Sequence, residues 1–188
     1  MKYTFILGMS GSGKTRLAQK LESAMPVHFK KITQCTTRKP RPSEVEGVDY
    51  YFLTDAEYDN HDRMGWLIGQ VREELLPARY GTPLRDMSPF KNNVLVLSIE
   101  GFLDAIAKVR AEDTFSVVFI KNVKPEVARE GRDQQSEERY ISAILHWAHR
   151  QESFKLVEVD HEELKKFRDD NKGIIGFAYR HNLMASEE

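Results

Sequence analysis

Gly8-Met9-Ser10-Gly11-Ser12-Gly13-Lys14-Thr15 is the stretch on which the fold turns. It follows the β-rich apolar run Tyr3-Thr4-Phe5-Ile6-Leu7 and leads into Thr15-Arg16-Leu17-Ala18-Gln19-Lys20-Leu21, whose apolar residues recur at helical spacing. A G-x-x-x-x-G-K-[ST] loop between a strand and a helix is a phosphate cradle. Its glycines let successive backbone N–H groups turn inward, and the helix N-terminus adds a favourable field for anions. Lys14 is placed to reach β- and γ-phosphates, and the Thr15 hydroxyl to hold Mg²⁺. Ser10, Gly11, Ser12, Gly13, Lys14, Thr15 and Arg16 are the expected contacts to ATP.

Working outward, composition bounds the rest. A chain of 188 residues is long enough for one domain with a substantial core. Its 28 basic and 29 acidic residues nearly cancel, so no global field draws it to nucleic acid or membrane, and any anion site must be local. No apolar run approaches the ~20 residues that span a bilayer, and Phe5 to Leu7 is too short for a signal segment. The single cysteine, Cys35, excludes an intrachain disulfide framework, which suits a cytoplasmic location. Cys35 itself reads as a small half-buried residue.

Strands alternating with helices predict a parallel sheet with crossover helices. Expected strands are 3–7, 94–99, 115–120 and 156–159, with a fifth, 29–34, toward an edge because it alternates with lysines. Expected helices are 14–25, 101–111, 125–131, 136–152 and 161–170. Between Cys35 and Phe90 five prolines and short β-like pieces, such as 48–53, mark an inserted α+β lobe. Ile174, Ile175, Phe177 and Tyr179 in the tail are expected to pack on the body before the chain frays from Ala185. Trp66 and Trp147 read as packing residues. His146 and His149 share a helix face, with no third metal ligand near in sequence.

The lobe opens with Thr36-Thr37-Arg38-Lys39-Pro40-Arg41-Pro42-Ser43-Glu44-Val45-Glu46-Gly47-Val48-Asp49-Tyr50-Tyr51-Phe52. Here the chain resembles the guanylate kinase family, whose T-T-R-x-P-R-x-x-E-x-x-G-x-D-Y-x-F is met at every fixed position. Tyr80-Gly81-Thr82 is similar to its Y-G-T/S, and Gly131-Arg132 followed by Ser136-Glu137-Glu138 to its lid. The resemblance implies a P-loop NTPase-type α/β fold. A parallel sheet flanked by helices forms the core, 1–34 and 91–188, of a single domain. Residues 35–90 form the small lobe that binds a nucleoside monophosphate, and about 129–139 a short lid.

The implied reaction is transfer of the γ-phosphate of ATP, with Mg²⁺, to a nucleoside monophosphate, GMP or dGMP first. Independently of the family, two guanidinium forks stiffened by a proline, with tyrosine hydroxyls, suit a phosphate dianion. By resemblance Arg38, Arg41, Tyr50 and Tyr80 grip the acceptor phosphate. Arg132 matches a lid arginine. The next family lid arginine falls on Ala143, and Arg139, one turn earlier, is its substitute. The expected catalytic set is Lys14, Arg38, Arg41, Arg132 and Arg139.

Base recognition departs from the family. Guanine offers N1–H and N2–H₂ donors, yet the segment Trp66 to Gln70 lacks the family's glutamate, the aligned position being Ile68 or Gly69. Glu73 and Glu74 lie close by as replacements. Gln34 stands where the family has a small hydroxyl residue, and its amide fits guanine, adenine or a pyrimidine. Thr82 matches the other base-contacting hydroxyl. Two family acids at the end of the third strand are Ser98 and Glu100 here. Two further readings stay open. One is a kinase for a different or modified nucleotide, or for a hydroxyl acceptor with Glu100 as base. The other is a non-catalytic domain of this fold, against which the intact phosphate loop argues. The oligomeric state, monomer or homodimer, is open.

Overall fold

The computed structural model describes residues 1–73, 78–121, 134–150 and 154–184, by backbone alone at 73, 134–137 and 147–150. In chain order the elements are β1 (Lys2–Gly8), α1 (Lys14–Ala24), β2 (Phe29–Lys31), β3 (Gln34–Thr36), β4 (Tyr50–Phe52), α2 (Asp55–Arg63), β5 (Leu67–Glu73) and β6 (Ala78–Pro83). There follow β7 (Asn92–Val96), α3 (Ile99–Lys108), β8 (Thr114–Lys121), α4 (Gln134–Arg150), β9 (Lys155–Asp160), α5 (His161–Phe167) and α6 (Asn171–Arg180). Contacts divide the chain into two compact units, one of Met1–Lys31, Ser88–Val96 and Glu112–Glu188, the other of Ile32–Met87 and Leu97–Ala111.

In the first unit β1 is the central strand of a parallel sheet ordered β2-β7-β1-β8-β9. A central parallel strand is covered on both faces, which is why Phe5, Ile6 and Leu7 read as a continuous apolar run and are each buried. One face packs on Leu17, Ala18 and Leu21 of α1 and on Ile174 and Phe177 of α6. Burying each of these leucine, isoleucine and phenylalanine side chains contributes ~1.5–3 kcal/mol.

Three expected boundaries move. The segment 29–34 is two strands: β2 is the edge its lysines predicted, ending at Lys31 opposite Val94, and Gln34 opens β3 in the other sheet. The strand expected over 94–99 stops at Val96 because the Ser98 hydroxyl accepts the Gly101 N–H at 3.2 Å and caps α3. The last helix breaks after Phe167. Asp170 accepts the N–H groups of Lys172 and Gly173 at 3.2 and 2.9 Å and starts α6 out of what read as a tail. That tail does pack: Ile174 and Phe177 are buried, and Asn92 Nδ2 donates to the Leu183 carbonyl at 2.6 Å. Tyr179, expected to pack with them, is exposed.

The second unit is a four-stranded sheet, β4-β3-β6-β5, with α2 and α3. Residues 97–111, read from sequence as part of the core, cluster here. Gly69 and Gly101 let α3 lie close on β5, and the Asp104 carboxylate accepts the Gln70 N–H at 2.9 Å. Cys35, Leu67 and Tyr58 form the apolar side of this unit. Cys35 is fully buried rather than half-buried. Trp66, expected to pack inside, is 43% exposed, with its ring beside that of His61 at 5.6 Å. The expected helix over 125–131 lies outside the described residues.

Candidate active site

The phosphate loop is built to lack an anion. Gly13 is the N-cap of α1 at φ +92°, a left-handed conformation that glycine adopts without Cβ strain, and it offers no side-chain cap. The first turn of α1 carries no acidic residue either. By contrast Thr54, Ser98, Asp160 and Asp170 cap α2, α3, α5 and α6 with their own side chains. A helix start with neither a side-chain cap nor an acid favours an anion beside it. Lys14 Nζ donates to the Gly8 and Met9 carbonyls at 2.8 and 2.7 Å, arching over the loop. Of the other expected contacts, Ser10 is half-buried, Gly11, Thr15 and Arg16 are exposed, and Ser12 is fully buried.

The residues present fit Mg²⁺. Thr15 offers one exposed hard oxygen in the first turn of α1. Among the described residues no cluster of three or more His, Cys, Asp or Glu could hold a metal ion by itself. An ion that keeps most of its water and binds chiefly through phosphates needs no more than this.

The residues expected to hold the acceptor lie in the second unit, and sheet register collects them. β3 pairs Gln34 with Tyr50 and Thr36 with Phe52, and Thr36 also faces Tyr80 across β6. Continuing that register by one residue sets Gln34 opposite Thr82. Side chains alternate in a strand, so Gln34, Tyr50, Tyr80 and Thr82 share one face, and Cys35 and Leu67 the other.

Over that face the Arg38 guanidinium is held bidentate by Glu44, Nη1 to Oε2 at 2.9 Å and Nη2 to Oε1 at 2.8 Å. Its Nε donates to the Tyr80 hydroxyl at 3.3 Å and Nη1 also to the Lys39 carbonyl at 2.7 Å. Tyr50 lies beneath, its ring centroid 5.4 Å from Cζ. Of the five N–H groups of an arginine these contacts engage four, leaving one on Nη2. Arg41 is arranged oppositely. Its backbone N–H is anchored on Glu44 at 2.7 Å, while its side chain is 49% exposed and its guanidinium only 3.9 Å from that carboxylate. Arg41 is thus the exposed guanidinium, and Arg38 the fixed one.

Electrostatics follow from the pairing. The Arg38 hydrogen bonds hold the Glu44 carboxyl down at about 2, and Glu44 raises Arg38 further. Burial raises the Tyr50 phenol, keeping it a neutral donor. Glu44 is the functional residue that site reasoning passed over. Its signal was present as the fixed acid of the motif, six residues beyond Arg38 across a proline turn. Asp49 and Glu46 brace the same loop through the Val45 and Phe52 N–H groups, at 2.8 and 2.9 Å.

The base-recognition positions are neutral. Ile68 is buried, and Gly69 sits at φ +64° where the β5–β6 register shifts. A Cβ there would lie 2.8 Å from Leu97 Cδ2. A side chain there would be strained and would have to displace Leu97. Thr82 Oγ1 is buried with no hydrogen-bond partner among the described residues, and Gln34 is half-buried. The Glu73 side chain and Glu74 lie outside the described residues. Glu100 is not at a strand end. It occupies the exposed first turn of α3, where its charge favours the helix dipole.

Arg132 and most of the expected lid also lie outside the described residues. Arg139 is exposed on α4 and lines a cavity of about 360 Å³ with Lys121, Ser142, His146 and Glu158. There Lys121 Nζ lies 3.0 Å and His146 Nε2 3.4 Å from the Glu158 carboxylate.

Comparison with known proteins agrees with this arrangement. The sequence model of the family described as "Guanylate kinase" matches residues 1–166. The guanylate kinase of Chlamydia felis is 30% identical over 150 residues, 74% of this chain and 71% of that protein. That of Rubrobacter xylanophilus is 31% identical over 170 residues, 86% and 87% of the two chains. The crystal structure of guanylate kinase from Anaplasma phagocytophilum superposes with a TM-score of 0.62, covering 98% of this chain and 88% of that one. At 19% identity that match speaks for the fold, a parallel sheet flanked by helices. With the family model matching residues 1–166 and a relative 30% identical over 74% of its length, this chain belongs to the guanylate kinase family.

Proposed function

We propose that the chain transfers the γ-phosphate of ATP to a (deoxy)nucleoside monophosphate, GMP or dGMP first, giving ADP and the diphosphate. The observation that carries the reading is the Arg38–Glu44–Tyr80 clamp with the open Arg41 fork beside it. This is a phosphate site on the sheet face that also bears Gln34 and Thr82.

An acceptor phosphate oxygen is already anionic, so no base must remove a proton, and catalysis reduces to alignment and charge cover. The N–H groups of the phosphate loop and Lys14 hold the donor. Arg41 and the remaining Nη2 hydrogen of Arg38 offset repulsion between the two phosphates, with Tyr50 and Tyr80 as further donors. Thr15 would hold Mg²⁺, which would supply charge neutralisation to the bound polyphosphate. Arg132 and Arg139 are proposed to cover the transferring group. Gln34 and Thr82 are proposed to read the base by neutral hydrogen bonds.

The lack of an acid at Ile68 and Gly69 favours a second reading within the same chemistry, a different or modified base. A hydroxyl acceptor with Glu100 as base would leave the phosphate clamp without a role. No described helix is long and apolar enough to cross a membrane. The cytoplasm is the proposed location, where the lone buried thiol of Cys35 suits reducing conditions.

The test is formation of ADP and GDP from ATP, Mg²⁺ and GMP by the purified chain, beside Lys14→Ala. Turnover by the wild type and its loss in a folded Lys14→Ala support the reading. Wild-type rates in the variant, or no transfer to any monophosphate, overturn it.

A further inference from the structure

The corner between α5 and α6 sets an arginine against the phosphate loop from the far end of the sequence. α5 is anchored by buried His161 and Leu164, and α6 by Ile174 and Phe177. The corner itself is tight. Arg168 N donates to the Leu164 carbonyl at 2.8 Å and Asp170 N to the Phe167 carbonyl at 3.1 Å, while Phe167 stacks on Phe177 at 5.2 Å. A Cβ at Gly173 would lie 2.6 Å from Phe167 Cβ, so nothing larger than glycine fits there.

From this corner Arg168 extends to Gly13. Its Nη1 lies 2.8 Å from the point a Cβ would occupy on Gly13, so the guanidinium rests on the residue that caps α1. The side chain is 15% exposed, and its buried Nε has no hydrogen-bond partner among the described residues. Asp169 is 3.7 Å from that Nε and spends its closer contact, 2.7 Å, on Nε of Arg16. Two guanidinium groups thus share one carboxylate beside a helix start that has neither cap nor acid. Among the described residues the mostly buried Arg168 shares its one carboxylate and leaves Nε without a hydrogen bond, which is costly unless an anion completes it.

We infer that Arg168 is a donor-phosphate residue: its guanidinium, set by the α5–α6 corner and steadied by Asp169, neutralises the polyphosphate bound at the Gly13 end of the loop. This rests on the reading of the loop as the ATP site and adds a ligand contact from outside the motif. Arg16 shares the load through Asp169, and Gly13 cannot be enlarged without displacing the guanidinium.

The test is calorimetric binding of inorganic tripolyphosphate, ADP and adenosine to the full chain and to Arg168→Met, Arg168→Lys and Asp169→Asn, with melting curves to verify folding. The inference expects tripolyphosphate and ADP to bind about tenfold or more weakly to Arg168→Met, adenosine to be unchanged, and Arg168→Lys to recover part of the loss. If Arg168→Met does not fold, Arg168→Lys decides, with an expected loss of about threefold or more against an unchanged melting temperature. Tripolyphosphate affinity within twofold of wild type in a folded Arg168 variant overturns the inference while leaving the loop as the ATP site. A wild type that binds neither tripolyphosphate nor ADP overturns both.

Discussion

Replacing Arg41 by Met tests the division of labour between the two acceptor arginines. The Arg41 side chain is 49% exposed and its guanidinium reaches Glu44 only at 3.9 Å, so little of the folded structure depends on it. What anchors the loop is the Arg41 backbone N–H on Glu44 at 2.7 Å, which the variant retains. The variant should therefore melt within about 0.5 kcal/mol of wild type. Against a phosphate, an open fork makes two parallel charge-assisted hydrogen bonds, and losing them from a partly solvated site costs about 2–3 kcal/mol. That is a rise of about 30- to 150-fold in KM for GMP. Initial rates of ADP formation with GMP varied at saturating ATP, and the reverse, give both constants. KM for ATP should stay within about twofold, because Arg41 belongs to the acceptor. A GMP KM within threefold of wild type, or an equal rise in both constants, refutes the assignment of Arg41 as the open fork.

Three further outcomes are expected. With its carboxyl held at about 2 against an ordinary value of 4.5, Glu44 contributes stability that is full above 4.5 and lost as pH falls toward 2. Glu44→Gln should flatten the pH dependence of the melting temperature across that window. Gly69→Ala should lower stability by about 1–3 kcal/mol, read by urea titration, because φ is +64° and Leu97 Cδ2 lies 2.8 Å from the new methyl. A neutral effect would show that the bulge can yield and admit an acid. Burial raises the Cys35 thiol to about 11, so native protein should resist thiol reagents at pH 8, while denatured protein reacts at once.

Both proposed phosphate sites are legible in the sequence because each is written in consecutive residues. Gly8 to Thr15 carries its own strand–loop–helix context, and Thr36 to Phe52 its own turn, proline and pairing strand. What local pattern could not show is what distant chain supplies. Lys30 and Lys31 marked an edge strand, but nothing nearby said that the chain leaves one sheet and opens another at Gln34. Ser98 looked like a strand residue until its hydroxyl was seen closing a helix start. α3 joined the second unit through Gly69, Gly101 and Asp104, contacts between segments about 30 residues apart. Glu44 was visible as a motif letter, and only its geometry shows that it fixes Arg38. Arg168 had no signal at all, since its partner Gly13 lies near the opposite end of the chain.

The most direct measurement of the central claim is a comparison of kcat/KM across ribo- and deoxyribonucleoside monophosphates, with guanosine as the acceptor lacking a phosphate. GMP or dGMP should lead, every productive acceptor should carry a 5′-phosphate, and guanosine should be inert. Turnover of guanosine at a rate comparable with GMP would contradict the Arg38–Arg41 site as the place where the acceptor is held.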